Sequence, residues 1–254
     1  MMVIVTEFEP LTLFTSDHVR LDAGHLVGDD DLCFVLAHGF TCSWRQPPLR
    51  RIAGRLHRHG GVIALDLRGH GRSGGLSTVG DLEIHDVAAA VAAARRRGYR
   101  RVVVLGFSMG GAVAVRFAAL IGGVDAVVSV SAPARWYYRD TVPMRRVHWA
   151  IERSAGRLAV RLARRTRIAS GGWDPLPEAP HAVAGLIAPV PLLVVHGDAD
   201  AFFPLDHAHQ LYDAAAEPRE LWVEHGFGHA EVAATPGLID RIARWSVDAA
   251  HTRG

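Results

Sequence analysis

Apolar residues along the chain fall into two kinds of run that alternate. Short stretches rich in Val, Leu and Ile and bounded by Gly, Asp or Pro read as buried strands, Leu32–Ala37, Val62–Leu67, Val102–Gly106, Val124–Val130 and Leu192–His196, with Glu220–Glu224 as a further strand. Between them lie longer amphipathic or alanine-rich runs that predict helices: Pro47–His59, Leu82–Arg97, Met109–Ile121, Leu205–Ala216 and Gly237–Ala249. Ahead of these, Leu11–Phe14 and Val19–Leu26 flank a turn-like Ser16-Asp17 and predict an antiparallel hairpin. The alternation predicts an α/β fold: a mostly parallel sheet with an antiparallel N-terminal hairpin and helices on both faces. It fails between Pro133 and Pro191, so residues 133–190 are expected to form a mainly helical cap inserted into a core of residues 1–132 and 191–254.

Composition bounds the function. A chain of 254 residues with 49% hydrophobic content suits one large core. The opening Met1-Met2-Val3-Ile4-Val5-Thr6-Glu7 has no basic leader segment, and nowhere do about 18 apolar residues run together, so an unexported, cytoplasmic protein is expected. Cys33 and Cys42 make neither a disulfide framework nor a zinc pattern. All 28 basic side chains are arginine, and the chain has no lysine and no asparagine. Schiff-base chemistry, Ser-Lys dyads, P-loops and N-glycosylation therefore drop out. Both missing residues have A-rich codons, which points to a GC-rich bacterial genome. The formal net charge of +2 hides a segregation: residues 133–167 hold ten arginines against Asp140 and Glu152, a local +8. The remainder is then about −6, which with the lack of any zinc-finger, RNP or helix-turn-helix pattern argues against a nucleic-acid partner.

The strongest local motif is Gly106-Phe107-Ser108-Met109-Gly110, set where a strand run meets a helix run. A sharp strand-to-helix turn strains the serine backbone and brings strand and helix so close that glycines are needed two residues before and after it. Ser108 would then project at a helix N-terminus, where free N–H groups favour developing negative charge.

With His38-Gly39-Phe40 after the strand Leu32–Ala37, and Asp66-Leu67-Arg68-Gly69-His70-Gly71 after the next, the chain resembles the serine-nucleophile branch of the α/β-hydrolase superfamily. The resemblance covers nearly all of the chain outside 133–190. It implies Ser108 as nucleophile, with the backbone N–H groups of Phe40 and Met109 as the oxyanion hole. It makes His38 and His70 scaffold residues. The family's base follows the last strand, where Gly226-Phe227-Gly228-His229 selects His229 over His225, which abuts the strand and lacks the preceding glycine. For the orienting acid, Asp198 and Asp200 compete in His196-Gly197-Asp198-Ala199-Asp200, and Asp200 fits the family pattern with Pro204 beyond it. Asp198 is read as a turn buttress. Some relatives carry the acid before the cap, but Val128-Ser129-Val130-Ser131 offers only serines there.

Aromatic residues near the strand ends, Phe107, Trp136 and Phe203 among them, suggest an apolar pocket. In the cap, Met144, Val147, Ile151, Ala155, Leu158 and Leu162 share a helical face with Arg145, Arg153, Arg157, Arg161 and Arg164 largely off it, and Gly156 is a candidate break. The favoured reading is a helix packed on the core with a solvated basic face; the alternative is a surface for anionic substrates, an acyl carrier or phospholipid. Together these readings predict cleavage of a small-molecule carboxylic ester through an acyl-enzyme, with no cofactor and no metal. Thioesterase, lysophospholipase and cofactor-free perhydrolase activities share that triad, since the elbow is also similar to that of the perhydrolases. A non-catalytic binding protein of the same fold is the rival from another class.

Overall fold

The computed structural model describes residues 7–28 and 31–252. The start of the chain, read above for the lack of a leader, falls outside the described residues apart from Glu7. In chain order the elements are β1 (Glu9–Phe14), β2 (Arg20–Leu26), β3 (Leu32–Ala37), α1 (Pro47–Leu56), β4 (Gly61–Leu65), α2 (Glu83–Arg96), β5 (Arg101–Phe107) and α3 (Met109–Leu120). β6 (Ala126–Val130), α4 (Val142–Glu152), α5 (Ser154–Arg164) and α6 (Pro180–Val183) follow, the last running into a 3₁₀ turn at Ala184–Ile187. The chain closes with β7 (Leu192–Gly197), α7 (Asp206–Ala214), β8 (Arg219–Glu224), α8 (Ala230–Ala233) and α9 (Pro236–His251).

The eight strands form one sheet in the order β1-β2-β4-β3-β5-β6-β7-β8. β1 pairs with β2, and β2 with β4, antiparallel; every other pairing is parallel. This is the α/β-hydrolase arrangement. Strand alternation divides the core in two. Cys33, Val35 and Ala37 of β3 face one layer with Val102 and Val104 of β5, under α2, α3 and α7. Leu32, Phe34 and Leu36 face the other with Val103, Leu105 and Phe107, under α1 and α9. Strands buried on both faces explain why they read as continuous apolar runs. From β3 the chain goes first to β4 on one side and then to β5 on the other, so the sheet reverses its winding beside β3 and opens a crevice past its C-terminal end.

The cap differs from the sequence reading. The helical run from Met144 to Leu162 is two helices, and it breaks at Arg153, whose extended backbone (φ −97°, ψ 136°) ends α4 and begins α5. Gly156 is not the break. It is where the helices meet, since a Cβ there would stand 2.4 Å from the Trp149 carbonyl oxygen. Among the described residues no helix is long and apolar enough to cross a membrane.

Buried histidines make this fold acid-sensitive. His70 is fully buried and pushed down to about 3, by burial first and then by the neighbouring His38. His207 is pushed down to about 4, again chiefly by burial, and its Nδ1 accepts the Ala134 N–H at 3.0 Å, a bond that protonation would forfeit. Folded values below the unfolded 6.5 mean that this stability is complete above pH 6.5 and is lost as pH falls toward 4. At pH 4 each group costs about 3 kcal/mol. The thermal midpoint is therefore expected to drop between pH 6.5 and 5, by less than the two histidines alone would give, because burial pushes the Asp86 carboxyl up to about 7 and its protonation offsets part of the loss; histidine proton NMR showing His70 and His207 titrating at the unfolded value in the native protein would refute the assignment.

Candidate active site

Ser108 joins β5 to α3 with φ 51° and ψ −118°, a left-handed conformation that a β-carbon makes costly. The sharp turn holds because of its glycines. A Cβ on Gly106 would stand 2.1 Å from the Gly110 carbonyl oxygen, and one on Gly110 would stand 2.5 Å from that of Ala37. The Ser108 N–H donates to the Val130 carbonyl at 2.8 Å, and its own carbonyl accepts from Gly111 N–H at 2.9 Å. The backbone is thus locked, and the side chain is left free to face the crevice.

His229 follows β8 and precedes α8, and its ring bridges two residues far away in sequence. The Ser108 hydroxyl donates to His229 Nε2 over 3.0 Å, and His229 Nδ1–H donates to Asp200 Oδ2 over 2.8 Å. A carboxylate at Nδ1 requires the proton there, which leaves Nε2 as the acceptor. The Asp200 side chain has no solvent exposure. Its other oxygen accepts N–H bonds from Phe202 at 2.8 Å and Phe203 at 3.1 Å. Burial pushes this carboxyl up, but the His229 hydrogen bond and charge and the two N–H donors outweigh burial and hold it below its ordinary value. The Phe202 ring stacks on the His229 ring at a centroid distance of 4.2 Å. The two competitors lie apart from this group. His225 is 99% exposed and donates to Asp198, which also accepts the Gly226 N–H at 2.6 Å.

The segment after β3 is held on both sides of one peptide. Leu67 N–H donates to His38 Nε2 at 3.1 Å, so His38 Nδ1 bears the proton and donates to the Gly39 carbonyl at 2.8 Å. Cys42 N–H donates to the same oxygen at 3.1 Å. Because C=O and N–H of a trans peptide point oppositely, fixing the Gly39 carbonyl aims the Phe40 N–H the other way. Among the described residues neither Phe40 N–H nor Met109 N–H donates to a protein acceptor. Glu231, buried two residues past His229, accepts the Gly39 N–H at 3.1 Å and ties this segment to the histidine loop. The Cys42 thiol beside it is pushed above its ordinary range by burial and by the Glu231 carboxylate, so it stays a protonated, unreactive thiol.

Above Ser108 opens a cavity of about 810 Å³, lined by Phe40, Met109, Trp136, Phe203 and, from α4, Met144 and Val147. Trp136 and Phe203, expected near the strand ends, both line it. Phe107 does not: it is fully buried against the opposite layer, because strand alternation points it away from the crevice one residue before the turn. Of the arginines between 133 and 167, Arg135, Arg146 and Arg164 reach the cavity wall, whereas Arg153, Arg157 and Arg161 do not. Sequence reasoning missed Glu231 and the place of Cys42 beside it. The nearest signal was an acid two residues beyond the histidine; Phe202 was among the aromatic residues expected near the strand ends, but its stacking on His229 was not.

A strand order reversing at β3, a strained serine turn and an aligned Ser-His-Asp series define an α/β hydrolase. Consistent with this, the profile of the alpha/beta hydrolase family matches residues 34–248, and the chain belongs to that family. A monoacylglycerol lipase of Mycolicibacterium smegmatis is 30% identical over an alignment of 258 positions, covering 84% of this chain and 87% of the relative. Among solved structures, an esterase of Pyrococcus furiosus superposes with a TM-score of 0.75 at 23% identity over 97% of this chain and 91% of its own. DcsB, solved in complex with its substrate analogue, gives 0.77 at 17% identity over 98% and 100%. At these identities the two structures speak for the fold alone.

Proposed function

We propose that this hydrolase is a serine esterase that cleaves a carboxylic ester with an apolar acyl group. The observation that carries the reading is the unbroken hydrogen-bonded series Ser108–His229–Asp200 opening on an apolar cavity. Ser108 Oγ attacks the ester carbonyl carbon while His229 Nε2 takes its proton, and the N–H groups of Phe40 and Met109 receive the charge that develops on the carbonyl oxygen. His229 then protonates the departing alcohol, leaving an acyl-Ser108. Water, deprotonated by the same nitrogen, attacks the acyl carbon, and the acid leaves as Ser108 regains its hydrogen. Residues 133–190 act as a cap over the core formed by 1–132 and 191–254. With about 810 Å³, near the upper end of small-molecule pockets, the cavity suits a medium acyl chain better than an acetyl group. The name of the Mycolicibacterium smegmatis relative, a monoacylglycerol lipase, agrees with this substrate class.

Labelling with a fluorophosphonate probe and mapping the modified peptide tests the nucleophile, and a p-nitrophenyl ester series of rising chain length tests the cavity. The expected result is a single adduct at Ser108 and a kcat/KM optimum at medium chain length. No adduct and no turnover across the series would favour a binding protein of the same fold. A preference for thioesters, or for peroxide over water as acyl acceptor, would move the reading to a thioesterase or a perhydrolase.

A further inference from the structure

The α4–α5 hairpin has its inner face on the cavity, through Met144, Val147, Val160 and Arg164. Its outer face departs from the expected packing. On α5, Ala155, Leu158, Ala159 and Leu162 form a stripe at helical spacing that turns away from the protein, with Leu158 55% and Leu162 75% exposed. Trp149 of α4 is 52% exposed, and Leu76, 52% exposed, shares a small surface opening with Leu158 and Arg161. Arg145, Arg153, Arg161 and Arg165 are exposed around these apolar groups. Of the ten arginines from 133 to 167, Arg135 with Asp206 and Arg139 with Glu152 are, among the described residues, the two that lie within 4.0 Å of a carboxylate. A face that is merely solvated would turn its leucines inward. Here apolar side chains and unpaired guanidinium groups share one surface.

We infer that this outer face docks on an anionic lipid bilayer. An amphipathic helix lying in the interface buries its apolar stripe at the boundary of headgroups and acyl chains while its arginines meet lipid phosphates, and tryptophan favours the same depth. A second copy of the chain is a poor occupant, because two hairpins of like charge would repel across the contact. An acidic soluble carrier would satisfy the arginines but leave the stripe in water. Docking in this way sets the cavity wall against the lipid phase, so an acyl ester too apolar to reach the site through water would enter from the membrane; that consequence rests on the esterase reading, while the docking does not.

Co-sedimentation with phosphatidylcholine vesicles, with and without phosphatidylglycerol, tests the surface. The parent protein is expected to bind the anionic vesicles about ten-fold more tightly or better, with part of that preference lost at high salt. Arg161→Glu with Arg165→Glu should remove the preference, and Leu158→Ser with Leu162→Ser should remove the salt-resistant part. Turnover of a soluble short-chain ester should stay unchanged in both variants, which shows that they fold. Equal or absent binding to the two vesicle types, with soluble-ester turnover intact, would overturn the docking and leave the esterase reading standing. So would a concentration-dependent dimer abolished by Leu158→Ser, or capture by an acidic carrier protein in place of vesicles. Vesicle binding by a parent protein that turns over no ester would support the docking and remove the esterase reading.

Discussion

Ser108→Ala is expected to lower kcat for a p-nitrophenyl ester by about 10⁴ to 10⁶ while leaving KM within a few-fold. A loss of that size is about 5–8 kcal/mol of transition-state stabilisation. Among the described residues the hydroxyl's one protein partner is His229 Nε2 at 3.0 Å, so its removal frees a ring nitrogen that faces the cavity and costs the core nothing. The strained turn survives, since alanine meets the same backbone conformation as serine, and the bonds from Ser108 N–H to Val130 and from Gly111 N–H to Ser108 do not involve the side chain. The variant should therefore melt within a few degrees of the parent, and fluorophosphonate labelling should vanish. Residual turnover would come from the Phe40 and Met109 N–H groups and from substrate positioning, which the substitution leaves in place. Labelling that persists at another serine would refute the nucleophile assignment.

The central strands were legible because burial on both faces leaves continuous apolar runs, and the Ser108 turn because only glycine fits at positions 106 and 110. What periodicity could not supply was direction. It marks Ala155, Leu158 and Leu162 as one face of a helix but says nothing of what that face meets, and the helix turned it outward once Arg153 broke the run and Gly156 became the contact with α4. Phe107 was misjudged on the same ground, since adjacent strand residues lie on opposite sides of the sheet. Glu231 was invisible for another reason: its partner, the Gly39 N–H, is 192 residues away, and a hydrogen bond to backbone leaves no pattern in the partner's side chain. The choice between Asp198 and Asp200 rested on spacing, and the geometry separates them by burial.

Asp200→Asn is expected to reduce kcat by about 10³ to 10⁴, whereas Asp198→Asn should cost less than about ten-fold. The isosteric amide can keep its oxygen on the Phe202 and Phe203 N–H groups, so the loop should hold its shape. That arrangement points the new NH₂ at His229 Nδ1, where two donors now meet. The imidazole resolves the conflict by placing its proton on Nε2, which leaves no lone pair to accept the Ser108 hydrogen. The change also removes the negative charge that would stabilise the imidazolium as Ser108 attacks. At position 198 the same clash with His225 Nδ1 is harmless: that histidine is exposed and can place its proton on Nε2 toward water, and an asparagine oxygen can still accept the Gly226 N–H. Single-turnover kinetics with a chromogenic ester, read beside the melting temperature of each variant, separates a tautomer defect from a loosened loop. A larger kcat loss in Asp198→Asn than in Asp200→Asn, with both variants folded, would mean that the two aspartates have the opposite roles.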